Sequence, residues 1–234
     1  MEIIPKAIIA GLFRGGVGAV TATAAPQMPG GGTIGRDVIN SIWADVVKQY
    51  PTYQSLQFDP SGRGGAFVGE AGPDDLVLIQ PPLMQVRTPV TELGVSHTAD
   101  KVAFVFKTAL FYFSGPPAVN LGVKLVCYAP SPAGDAIAFI RSEIIKGEED
   151  YQILAGQMPY RANLNVDMQG EGQTYVLNVQ PLHADNKMLY LDIDIQTPGL
   201  VDEQSIAAKI LYAHEFMTTH VGNFLDKKAE GWSR

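Results

Sequence analysis

The sequence predicts an α+β fold built from a duplicated β-α-β4-α unit, its strands in curved antiparallel sheet with helices packed on one face. Three observations carry this. One order of elements, strand, helix, four strands, helix, is read from residues 1–116 and again from 117–234. The segment 189–196 alternates Leu189, Leu191, Ile193 and Ile195 with Tyr190, Asp192, Asp194 and Gln196, which makes one apolar and one wet strand face. Helical stripes recur after the first strand of each half and at each half's end.

The first half opens with an apolar strand, Ile3–Phe13. A loop rich in Gly, Ala, Thr and Pro follows over 15–35. Arg36–Tyr50 reads as a helix, with Val38, Ile39, Ile42, Trp43 and Val46 on one side, Asp37 in the first turn and Pro51 as its stop. Four short strands come next, Ser55–Phe58, Gly65–Gly69, Leu76–Gln80 and Met84–Thr88. Turn sequences separate them, Asp59-Pro60-Ser61-Gly62, Gly72-Pro73-Asp74-Asp75 and Pro81-Pro82. Ala99–Phe113 reads as a helix with Thr98 as N-cap and Gly115-Pro116-Pro117 as terminator. A strand is the alternative here, because Val102, Phe104 and Phe106 also alternate and such residues favour sheet.

The second half repeats the order with a strand at Leu121–Tyr128. Ser131-Pro132 reads as a helix start, N-cap then Pro at the first helical position, for a helix Asp135–Lys146 with Ile137, Ile140 and Ile144 inward. Strands follow at Tyr151–Ala155, Arg161–Met168, Thr174–Gln180 and Met188–Gln196, with turns at Gly170-Glu171-Gly172 and His183–Lys187. The last helix runs from Asp202-Glu203 to Leu225, its stripe being Ile206, Ile210, Ala213, Met217, Val221 and Phe224. The two halves are expected to form one compact domain.

Composition narrows the function classes. The 234 residues carry 17 basic and 24 acidic side chains, a net charge of −7, and 46% are apolar. The second half holds most of the excess, −6 against −1. No Lys/Arg cluster exists beyond Lys227-Lys228, so general nucleic-acid or anionic-membrane binding is not expected. No 18-residue apolar run occurs, and the N-terminus lacks the basic start of a signal peptide, so a cytoplasmic protein is expected. The one cysteine, Cys127, sits in an apolar run and reads as a small core residue rather than a nucleophile.

Candidate chemistry reduces to a few residues. The glycines at 15–18 and 30–35 resemble phosphate loops but lack the Gly-Lys-Ser/Thr ending. Gly35 and Arg36, at a helix start, remain an anion-binding candidate. His214 and His220 stand six apart rather than the four that place two ligands on one helix face, so no metal site is expected there. Asp192 and Asp194 share a strand face, with His183, Asp185 and Asp167 near in a hairpin reading, but alternation accounts for them as a solvent face. No catalytic motif and no cofactor are expected. In a helix over 99–113, Val102, Phe106, Ala109, Leu110 and Phe113 point inward, which leaves Phe104, Phe111 and Tyr112 elsewhere. With Trp232 they are the candidate interaction residues. The expected function is a protein–protein interaction or assembly subunit, self-associating or in a larger complex, with the aromatic segment or loop 15–35 at the contact. A small-molecule binder with a pocket between sheet and long helix is the alternative.

The C-terminal run Leu189–Ile195, followed by a helix containing Leu211-Tyr212-Ala213-His214-Glu215 and Phe216, resembles a sporadically distributed prokaryotic protein family of similar length and uncharacterised function. Residues Ile42-Trp43 to Tyr50-Pro51 resemble its first-helix ending, and Val123–Tyr128 its central strand. Loop 15–35 has no counterpart in that pattern. The resemblance implies no activity. It implies a prokaryotic defence or mobile-element setting.

Overall fold

The structure is a computed structural model and describes residues 1–13, 34–62, 64–80, 83–112, 120–132, 134–145, 162–170, 172–199 and 203–232. Within these, nine strands form one antiparallel sheet. They are β1 (Ile4–Phe13), β2 (Tyr53–Phe58), β3 (Gly65–Gly69), β4 (Gly72–Gln80), β5 (Leu83–Pro89), β6 (Asn120–Pro130), β7 (Leu164–Gly170), β8 (Gln173–Leu182) and β9 (Asp185–Thr197). Their order across the sheet is β2-β3-β4-β5-β1-β6-β9-β8-β7. The helices are α1 (Arg36–Gln49), α2 (Gly94–Tyr112), α3 (Ala136–Phe139), α4 (Glu203–Glu215) and α5 (Gly222–Trp232). The chain is therefore α+β, and none of its described helices is long and apolar enough to cross a membrane. Most of loop 15–35, the terminator at Gly115–Pro117 and the strand expected at Tyr151–Ala155 lie outside the described residues.

Strand alternation builds the core on one face of the sheet. Ile8, Ala10 and Leu12 of β1, Leu121, Val123, Leu125 and Cys127 of β6, and Leu189, Leu191, Ile193 and Ile195 of β9 are all buried. The cross-strand pairs Ile8↔Leu125, Leu12↔Leu121 and Leu125↔Ile193 place these residues on the same side. Val77 and Ile79 of β4, Phe67 of β3 and Leu177 and Val179 of β8 continue that surface. Ile39, Ile42 and Val46 of α1, Val102, Val105, Phe106 and Ala109 of α2, and Ile206 and Ile210 of α4 join the same cluster. Trp43 meets Phe67 edge-on, with ring centroids 5.3 Å apart.

The segment open between helix and strand is a helix, α2, and it begins at Gly94 rather than Ala99. Burial at 95, 98, 99, 102, 105, 106 and 109 has the helical period and outweighs the β-preference of the individual residues. Gly94 adopts φ +83°, and its N–H donates to the Thr91 carbonyl in the entering turn. Thr98 is thus not an N-cap; it lies inside the helix and its Oγ1 donates to the Gly94 carbonyl at 3.0 Å.

Other bounds differ from expectation too: β4 takes in the expected turn Gly72-Pro73-Asp74-Asp75, β9 begins at Asp185 within the expected turn His183–Lys187, and the last helix runs on to Trp232. Ser131-Pro132 does not cap α3: the Ser131 N–H donates to the Lys187 carbonyl at 2.7 Å and extends the sheet, and the helix begins only at Ala136. Asp135 is the N-cap, and its carboxylate accepts from the Ile137 and Ala138 N–H groups. In the last helix, Leu225 rather than Phe224 is fully buried. Residues Phe216–Val221 form a π-helical turn between α4 and α5. Buried residues 213, 217, 221 and 225 are spaced by four throughout, a spacing that drifts around a regular α-helix and that a wider turn holds on one face.

The most demanding burial is polar. Lys101 of α2 turns its ammonium into the core, 2.9 Å from Asp75 Oδ1, and donates also to Asp75 Oδ2 and to Thr88 Oγ1, each at 3.2 Å. The Tyr53 ring lies 4.5 Å from the same Nζ. All three donors of the ammonium thus have acceptors. Gly69 makes the room: a Cβ at that position would collide with the Asp75 carboxylate. Removing one member leaves the other charge buried and unpaired. Lys101→Met is therefore expected to cost about 3–5 kcal/mol in urea unfolding, and Asp75→Ala added to it to recover part of the loss. A single variant within about 1 kcal/mol of wild type would show that the pair is not a constraint on the fold.

Candidate functional site

The face of the sheet opposite the helices carries a second polar centre. Antiparallel register sets Lys124 of β6 opposite Asp194 of β9, and Asn178 of β8 opposite Asp192. Lys124 Nζ lies 3.2 Å from Asp192 Oδ1, and Asn178 Nδ2 donates to Asp192 Oδ2 at 3.4 Å. Gln196 Nε2 donates to Asp194 Oδ1 at 2.9 Å. The alternating face that reads as wet in the sequence is buried here: Asp192 is 5% exposed and Asp194 8%. Position inside the sheet, between β6 and β8 with long side chains on both, removes water that an edge strand would keep.

Electrostatics follow from that burial. Desolvation raises the Asp194 carboxyl above its ordinary value, the hydrogen bond from Gln196 and the charge of Lys124 oppose the shift, and Asp192 adds to it. Burial, then the Asp192 charge, raises the Tyr190 hydroxyl. The Tyr190 and Tyr128 rings sit 6.1 Å apart, with Lys6 Nζ 5.6 Å from the Tyr128 centroid. The arrangement can hold a proton or bind a positively charged group. Among the described residues no three His, Cys, Asp or Glu side chains are placed to hold a metal ion. His183 and Asp185 lie exposed at the β8–β9 turn, and Asp167 is exposed on β7, opposite Val176.

The aromatic candidates separate. Phe104 packs edge-on against Tyr50, centroids 5.5 Å apart, and the Tyr112 hydroxyl donates to Asp45 Oδ2 at 2.7 Å, so both are engaged with α1 and the residue that follows it. Phe111 meets the Tyr112 ring edge-on, centroids 5.3 Å apart, and is 83% exposed. Trp232 ends α5, and its side chain lies outside the described residues. Gly35 precedes α1, and its carbonyl accepts from the Val38 and Ile39 N–H groups. The Arg36 guanidinium lies over the Phe58 ring at 5.1 Å. His214 is half-buried, and desolvation lowers its pKa; His220 is exposed, 5.0 Å from the Phe216 ring. Cys127 is fully buried, and its thiol is pushed up to about 12 by desolvation.

Lys124 and Asn178 are the members of the polar centre that sequence reasoning missed. The available signal was a lysine in the middle of an apolar strand, at a position out of phase with its buried residues. No protein-family model, curated protein or solved structure matches the chain.

Two outcomes follow from these environments. A carboxyl whose folded pKa lies above its ordinary 3.8 holds its proton more tightly folded than unfolded. Its contribution to stability therefore falls as pH rises from the ordinary value through the raised one. Asp194→Asn should remove that dependence, so urea midpoints of wild type should decline relative to the variant as pH rises above the ordinary carboxyl value of 3.8. Parallel curves would contradict the assignment. Cys127 should resist thiol reagents in mildly alkaline buffer while the protein is folded and react fully in denaturant. Fast labelling of the native protein would place the thiol in an open environment.

Proposed function

We propose that this chain is a non-catalytic interaction or assembly subunit of the cytoplasm, built by duplication of a β-α-β4-α unit. The observation that carries the interaction reading is Phe111. A large aromatic side chain is left almost wholly in water at the end of α2, while its neighbours Phe104 and Tyr112 are held within the fold. Covering such a side chain at a contact favours association by about 1.5–3 kcal/mol before ordering costs. The mirrored strand order outward from the central pair, β1-β5-β4-β3 on one side and β6-β9-β8-β7 on the other, supports the duplication. The family resemblance adds a prokaryotic defence or mobile-element setting to this reading.

Phe111→Asp tests it. Because the side chain is exposed, the variant should keep the thermal stability of wild type and lose its association in solution, measured by light scattering or native mass spectrometry. Unfolding of the variant would mark Phe111 as core. A wild-type chain that is monomeric and captures no partner would sink the proposal.

The second reading, ligand binding, is favoured by a different observation. Beneath α2 the space is filled by Val102, Val105, Phe106 and Ala109, whereas the opposite sheet face gathers Asp192 and Asp194 beside the ammonium of Lys124. The ligand would then be a small positively charged molecule on that face rather than one under the helix. A mass difference between native and denaturing spectra, lost in Asp192→Ala, would support this; identical masses would remove it.

A further inference from the structure

We draw no further inference here: the strongest candidate, the Lys124–Asp192–Asp194 cluster on the face of the sheet opposite the described helices, belongs to the site already described, and nothing among the described residues points to what would occupy it.

Discussion

The antiparallel pairing of β1 with β6 is the constraint on which the rest of the fold depends. It runs from Ile4↔Tyr128 to Phe13↔Asn120 and joins strands far apart in the chain at the centre of the sheet. Every other strand is added outward from it, β5 to β2 on one flank and β9 to β7 on the other. Register is strict at this pair, because a one-residue slip would carry Ile8, Ala10 and Leu12 from the core to the other face. The bulge between Pro5 and Ala7 sits near one end of the pairing, and regular register holds from there to Phe13.

Burying one face of so wide a sheet leaves two charged problems, and the chain solves each with a lysine and aspartate. On the helix side, Lys101 and Asp75 are sealed among Thr88, Tyr53 and the space left by Gly69. Charge and hydrogen-bonding capacity match there, so the pair behaves as a fixed point that ties α2 to β4 and β5. On the other face, one ammonium stands near two carboxylates, and the excess is met by amides from Asn178 and Gln196 and by a raised Asp194 pKa. The first centre positions a helix. The second leaves two carboxylates beside two tyrosine rings on the face of the sheet opposite the described helices.

The helices adapt to the sheet rather than the reverse. α2 is buried against sheet, α1 and α4 around much of its circumference, so even its Thr98, Lys101 and Thr108 are buried and the exposed Phe111 near its end stands out. The final helix holds a four-residue spacing of buried side chains by widening through Phe216–Val221, where Phe216 stacks on Tyr175 at 5.3 Å. After α3 a π-helical turn likewise continues the helix, over Ile140–Ile145.

Alternation and helical period were enough to place nearly every described element, because each buries one face and the period of that burial is written in consecutive residues. Strand order, the single sheet and the identity of the α3 cap were not legible, since they depend on partners distant in sequence. Ser131 shows this: locally it is a good cap, yet its pairing with Lys187 keeps it at the end of the sheet and the helix starts only after Asp135. The same limit governs the candidate site. Asp192 and Asp194 could be seen to share a face, but local sequence cannot tell a solvent face on an edge strand from the same face on an interior strand. Only the tertiary structure brought Lys124 and Asn178 alongside them, because cross-strand register, a long-range property, decides which side chains meet and how much water remains between them.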